Sequence, residues 1–467
     1  MRKTRKGYSV YPLTVAQKFH FYYMDFCPKK EVLNIGTSLT IGVELDFDVL
    51  RESVMEAFGR CECLRIRFFK DSDGTWYQYV DEKAEYEVEY IDFSNQTMEE
   101  AEKTMREWTQ VPFVKQEISM SRLVMIRMPD GFQGVYFLVD HRIMDAQSMI
   151  CFLKDIIEIY CNKVYEDVPY PKEMYSYIEQ LKKDLAYEAG TKAKERDEAF
   201  FHELIESSEP IYNGIDGPGK LEAEREASGN PNARAAVNVS GSVDSELDIF
   251  HLEEEPTKRL MDFCEEYHIS LVCLLMMGIR TYFQKMNHND DVSITTTIAR
   301  RATLKEKKSG GTRLHSFPFR TIISEDKTFI EGIHEIRDRQ NEYFRHANYD
   351  PVAFFAHQTK VWKKEPGRVY EPMSLTYQPM SMRDKDLEKL GDIQYKTKWY
   401  PNGATTQAMY LTVMHRPEDN GLDFNFEHQI QAINRQQLEY FYYYLCKIMF
   451  KGIENPDLPI GDIIKLI

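Results

Sequence analysis

Residues 135–139, VYFLV, are apolar at every position, so a strand there has no face to give to water and is expected inside a sheet covered on both sides. The run leads directly into Asp140-His141. Beyond it Met149, Ile150, Leu153, Ile156, Ile157 and Tyr160 recur at steps of three and four, the spacing of a helix with one buried face. His141 is thereby placed in a strand-to-helix loop. Residues 123–128 form a second apolar run, separated from the first by Pro129-Asp130-Gly131, a turn signal that makes the two a hairpin and the sheet at least partly antiparallel.

The same reading extends to both sides. A short helix is expected within 11–26, entered through Pro12, followed by a strand over 33–43. Asp46 or Asp48 caps a helix with Leu50, Val54 and Phe58 on one face. A strand over 63–68 then turns at Asp73-Gly74 into a strand over 76–80. Later come a charged helix over 187–206, a helix capped by Ser270 with Leu271, Leu274 and Leu275 inside, and strands over 291–298 and 316–323. The second half resembles the first in its order of elements. At 467 residues the chain exceeds what one core organises, and 207–245 is rich in Gly, Pro, Asn and Ser. The expected division is therefore a domain over 1–180, a connecting helix and linker over 181–245, and a domain over 246–467.

Lys plus Arg number 59 against 75 Asp plus Glu, and the net charge of -16 argues against a nucleic-acid partner. The longest apolar run, residues 270–279, is far short of the roughly 20 residues that cross a bilayer. The basic N-terminus lacks the apolar stretch of a secretion signal, and a cytoplasmic protein is expected. The eight cysteines are scattered, Cys61-Glu62-Cys63 being their one close pair. They are read as packed thiols, and no metal site is expected.

The segment Asp140-His141-Arg142-Ile143-Met144-Asp145-Ala146 resembles the HHxxxDG signature of the condensation domains of nonribosomal peptide synthetases, relatives of chloramphenicol acetyltransferase. His141 matches the second His and Asp145 the Asp. Asp140 stands in place of the first His and Ala146 in place of the Gly. The likeness continues in order along the chain. Tyr11-Pro12-Leu13-Thr14-Val15-Ala16-Gln17 resembles the family's opening segment, and Arg60-Cys61-Glu62-Cys63-Leu64-Arg65-Ile66-Arg67-Phe68 resembles RHExLRTRF. Thr297-Ile298-Ala299-Arg300 resembles a segment ending in Gly-Arg, and His315-Ser316-Phe317-Pro318-Phe319-Arg320 resembles NTLPLR. Residues 373–378 resemble a strand ending in Tyr-Gln, and Pro459-Ile460-Gly461-Asp462-Ile463 resembles the closing segment.

The resemblance implies a mixed-sheet α/β (α+β sandwich) fold: two chloramphenicol acetyltransferase-like domains in a V-shaped pseudo-dimer around a central tunnel, with His141 midway. It further implies acyl transfer, in which an amine attacks the thioester carried by a phosphopantetheine arm. His141 is then the catalytic residue, as a general base or as a group that orients the amine. Asp145 is expected to form a buried ion pair with Arg300 that fixes the His141 loop. Asp140, Ala146, His315, Ser316 and Gln378 are candidate tunnel residues, with Asp140 directed away from the His141 ring because neighbours on a strand point to opposite faces. Ala146 adds one methyl where the family has Gly, which narrows the donor path or selects a particular arm. The basic run 300–308 before Ser309-Gly310-Gly311 is a candidate phosphate contact or a solvated loop. No bound cofactor is expected. The donor is a carrier-protein thioester, the carrier supplied in trans because the chain holds no carrier or adenylation segment, or the chain is cut from a larger synthetase. Two other readings stay open: an O- or N-acyltransferase using acyl-coenzyme A with an alcohol or small amine, and a non-catalytic docking module.

Overall fold

Strand Gln133–Asp140 is buried at all 8 positions and pairs on both sides, with Asn34–Ile41 and with Ser121–Arg127. Val135, Phe137 and Val139 join one core and Tyr136 and Leu138 another, as an all-apolar central strand requires. This computed structural model describes residues 2–3, 7–378, 393–416 and 419–467, and it resolves into two units.

The first unit takes the described residues of Met1–Thr191, Ala299–Leu314 and Met380–Ala404. Its main sheet has the order Tyr395–Tyr400, Asn34–Ile41, Gln133–Asp140, Ser121–Arg127, Glu89–Asp92; only the last pairing is parallel. Ser9–Pro12, Trp76–Val80 and Ile66–Lys70 belong to a smaller antiparallel sheet. Helix Ala146–Val164 lays Met149, Phe152, Leu153, Ile156 and Ile159 on the main sheet, with the Phe152 and Phe137 rings 5.1 Å apart. Each such buried side chain contributes about 1.5–3 kcal/mol. Helix Phe47–Arg60 is capped by Asp46 and buries Leu50, Val54 and Phe58, as its spacing predicts.

The second unit takes the described residues of Lys192–Ile298, His315–Pro379 and Thr405–Ile467. Its sheet runs Ser245–Leu252, Leu422–Gln429, Met409–His415, Ser374–Gln378, Asp291–Ile298, His315–Ile322. Ser374–Gln378 is parallel to both neighbours and the remaining pairs are antiparallel. Helix Leu271–Asn287 is buried nearly all round, and Gly278 lets helix Arg435–Glu454 approach: a Cβ there would stand 2.7 Å from Leu445.

The two units are not continuous in sequence, and the stretch 181–245, expected as a connecting helix and linker, is divided between them. That stretch contains the end of helix Tyr177–Glu188, helices Lys192–Ser207 and Gly219–Ser228 and strand Ala236–Val237. Within it Asn213 is fully buried and donates to the carbonyls of Ile211 and Asp291. The helix expected over 187–206 is two helices broken around Gly190, whose φ of 104° is closed to ordinary L side chains. The strand expected over 63–68 is a short 3-10 turn, Glu62–Arg65, followed by strand Ile66–Lys70. No helix among the described residues is long and apolar enough to cross a membrane.

Candidate active site

His141 sits at the first residue past strand Gln133–Asp140, and its backbone N–H is held 2.8 Å from the Leu33 carbonyl. The helix that follows begins at once: Asp145 is its N-cap, accepting the Ser148 N–H at 2.9 Å. A rigid strand on one side and a capped helix on the other leave the loop residue little freedom.

The Asp145 carboxylate is fully buried and receives Arg301 Nη2 at 2.9 Å on one oxygen and 2.8 Å on the other. The Ser148 hydroxyl and the Arg313 N–H complete its shell at 2.9 and 3.0 Å. Burial pushes the carboxyl up, but the Arg301 guanidinium and the bonds from Ser148 outweigh it and hold the group below its ordinary value. The partner is Arg301, not the expected Arg300. Arg300 has φ 53° and its guanidinium lies 3.4 Å from Asp184. The residue in left-handed conformation thus takes the place of Gly in the Gly-Arg pattern, and the matching Arg is one position later. Arg301 also donates to the carbonyls of Glu306, Ser309 and Gly311, so it fixes its own loop as well as the start of the Asp145 helix.

Asp140 is buried beneath the same loop. It accepts Arg142 Nε at 2.9 Å, Arg142 Nη2 at 2.8 Å and the Arg142 N–H at 2.8 Å. The Arg142 guanidinium continues to the Phe113 carbonyl and lies 4.9 Å from the Phe21 ring. Asp140 and Arg142 form a fork that clamps the residues flanking His141. Ala146 is the first residue of helix Ala146–Val164 and is half-buried.

Two residues the sequence did not single out meet the His141 ring. His20, on helix Val15–Phe26, stacks on it with centroids 4.3 Å apart. The Thr312 hydroxyl lies 3.1 Å from His20 Nε2 and 3.5 Å from His141 Nδ1. Burial keeps the His141 imidazole below its ordinary pKa against the pull of Asp145, a hydrogen bond to its own backbone and Asp140. His20 lies well below, by burial and then by the charges of His141 and Arg142. Both rings are neutral near pH 7. Thr312 Oγ1 thus stands between the two rings, and the tautomer of each ring sets the direction of its contact with the hydroxyl.

Gly310 and Gly311 explain the thiol pair. A Cβ at Gly310 would stand 2.5 Å from Cys63 Sγ, and one at Gly311, where φ is 98°, would stand 2.7 Å from the Tyr177 ring. Cys61 and Cys63, with sulfurs 3.4 Å apart, are the buried floor under the Arg301–Thr312 loop. The basic run before it folds into the short helix Leu304–Lys307, capped by Thr303.

His315, Ser316 and Gln378 belong to the second unit. His315 is fully buried and its Nδ1 pairs with the Ala347 carbonyl at 2.9 Å, the geometry of a packed histidine. Ser316 is half-buried with its hydroxyl 3.2 Å from that of Thr297. Gln378 ends strand Ser374–Gln378 opposite Met414.

The family model described as Condensation domain matches residues 8–466. Surfactin synthase subunit 1 of Bacillus subtilis is 22% identical over 449 residues, 95% of this chain and 12% of the relative. Tyrocidine synthase 2 of Brevibacillus parabrevis is 20% identical over 454 residues, 97% of this chain and again 12% of the relative. The chain thus spans about an eighth of the length of these synthetases. Among solved structures, the first condensation domain of the calcium-dependent antibiotic synthetase with a substrate analogue superposes with a TM-score of 0.79 at 18% identity, covering 97% of this chain and 99% of that one. The starter condensation domain of rhizomide synthetase with C8-CoA gives 0.79 at 14% identity, covering 97% of each.

Proposed function

We propose, from the premise that the chain belongs to the condensation-domain family of amide-bond-forming acyltransferases, that His141 serves acyl transfer from a phosphopantetheine-bound thioester to an amine. The observation that carries this reading is the placement of His141 at a strand end, with Nδ1 3.5 Å from the Thr312 hydroxyl and burial favouring the uncharged imidazole. In the reaction the amine nitrogen attacks the thioester carbonyl, the C–N bond forms, and the nitrogen must lose a proton as the C–S bond breaks and the thiol departs. Nε2 of His141 takes that proton, or holds the nitrogen in line while the leaving thiolate takes it. A positioned base contributes about 10²- to 10⁴-fold, and orientation of the two reactants adds to it. Asp145, Arg301, Asp140 and Arg142 are not in contact with the reacting atoms in this reading; they fix the loop.

The donor in this reading is an acyl or aminoacyl group on a carrier protein, supplied by a partner. A second reading, a donor thioester of free coenzyme A, is favoured by the C8-CoA complex of the rhizomide starter domain. Carrier-loaded and coenzyme A-linked donors are offered separately with a pool of amines, and products are read by mass spectrometry. Amide from the carrier-loaded donor alone supports the first reading, and equal use of free acyl-coenzyme A replaces it with the second. A chain that joins neither donor to any amine, while still binding a loaded carrier, is a docking module.

A further inference from the structure

Helix Lys192–Ser207 of the second unit carries Glu198, His202 and Glu206 at four-residue steps, one above the other on a single face. Helix Pro351–Trp362 packs beside it, with Trp362 Nε1 donating to the Ile205 carbonyl, and brings His357 to the same place. The His202 and His357 rings stack with centroids 3.8 Å apart and planes 6° from parallel. Nε2 of His357 lies 2.9 Å from Glu206 Oε1. Nε2 of His202 has the Tyr349 hydroxyl at 3.2 Å and Glu198 Oε1 at 3.8 Å. Candidate ligand atoms of His202, Glu206 and His357 all lie within 4.8 Å of one another.

We propose that His202, His357 and Glu206 form a site for a divalent transition metal ion of the zinc class, outside the acyl-transfer machinery. Two imidazole nitrogens and one carboxylate oxygen are the donor set that such an ion takes, with water completing the shell. Ligands spaced four residues apart on one helix face a common point, and the third arrives from the neighbouring helix. Bonds of about 2.0–2.1 Å to a tetrahedral ion bring ligand atoms to roughly 3.4 Å from one another. Rotation about the side-chain bonds has to turn the two rings out of their parallel stack as well as draw the atoms together, so that both nitrogens face one point. Solvent reaches all three side chains, His202, His357 and Glu206 being 32%, 18% and 56% exposed. The neutral His357 ring binds such an ion through Nε2 with its proton on Nδ1, and the contact with Glu206 gives way to the shared ion. It then ties the two helices together and stabilises the folded chain by mass action.

The test uses the full chain, without a polyhistidine tag and stripped with a chelator, titrated calorimetrically with Zn²⁺ alone. One ion per chain is expected, with a raised thermal midpoint, and Co²⁺ in its place should give the visible bands of a four-coordinate complex. Loss of an outer-shell partner costs about 10- to 100-fold in metal affinity, and loss of a ligand at least that. His202→Ala and His357→Ala should each therefore weaken binding tenfold or more; if either shifts the metal-free midpoint, His202→Gln and His357→Gln replace them. Absence of saturable binding near one equivalent overturns the proposal. So does undiminished binding in the doubly substituted chain.

Discussion

Arg301 Nη2 bonds both carboxylate oxygens of Asp145, at 2.8 and 2.9 Å, with each side chain at most 3% exposed. This pair joins the loop Ala299–Leu314 to the start of the helix after His141, within one unit. Breaking a buried ion pair from one side costs about 3–5 kcal/mol because the remaining charge is stranded. Arg301→Ala should lose that much in urea unfolding, and Asp145→Ala a similar amount. Arg300→Gly should cost less than Arg301→Ala, since relief of a left-handed residue, worth about 1–2 kcal/mol, offsets part of the lost contact with Asp184. The opposite ranking of Arg300 and Arg301 would refute the assignment.

Asp140 stands where the family has its first histidine, and the structure gives it a structural task. Asp140→Ala should destabilise the chain by about 3–5 kcal/mol by leaving Arg142 unpaired at 4% exposure. Restoring the family residue, Asp140→His, should also destabilise rather than repair. In a double-mutant cycle with Arg142→Met, the second substitution should recover much of the loss. Simple additivity would show that the two residues do not act together.

Thr312 bridges two imidazoles that burial keeps neutral. Thr312→Val keeps the shape and removes the hydroxyl, so folding should change little while turnover falls and the pH profile of activity moves. The effect on stability has a definite sign. A histidine whose folded pKa is below its unfolded value near 6.5 binds fewer protons when folded, so its contribution is full above about pH 6.5 and shrinks as pH falls toward the folded value. Each ring adds a slope of up to about 1.4 kcal/mol per pH unit in that window. His20→Gln should remove one such slope below pH 6.5 and leave the pH dependence above 7.5 as it is in the parent chain. A slope unchanged by the substitution would contradict the neutral stack.

Gly310 closes over Cys63, and a methyl there has only 2.5 Å. Gly310→Ala should cost about 1–3 kcal/mol by overpacking, and Cys63→Ala in the same chain should restore part of it. Thermal unfolding of the four proteins decides; no rescue would place the strain elsewhere.

Periodicity made the frame of the His141 site legible. Residues 135–139 required a strand buried on both faces, the spacing from Met149 to Tyr160 required a helix, and the strands Trp76–Val80 and Asp291–Ile298 coincide with their expected ranges. Pattern reports which face of an element is buried, so it succeeds where one element packs on its neighbour. It is silent on φ, and the shift from Arg300 to Arg301 turns on the left-handed conformation of one residue. It is equally silent on which loop joins which core. The loop Ala299–Leu314 belongs with residues far upstream because Arg301 reaches Asp145 and Gly310 packs on Cys63, contacts that no local spacing encodes. His20 lay in an ordinary amphipathic helix, where an aromatic-sized residue reads as packing. Residues 379–392, just past Gln378, lie outside the described residues.

Participation of the His141 imidazole in forming the amide is open to measurement. It is tested most directly by single-turnover product formation from a carrier-bound thioester and an amine, comparing the chain with His141→Ala at equal folded concentration. Loss of about 10²- to 10⁴-fold in rate, with donor binding retained, is the predicted result. An unchanged rate in the alanine chain would contradict it.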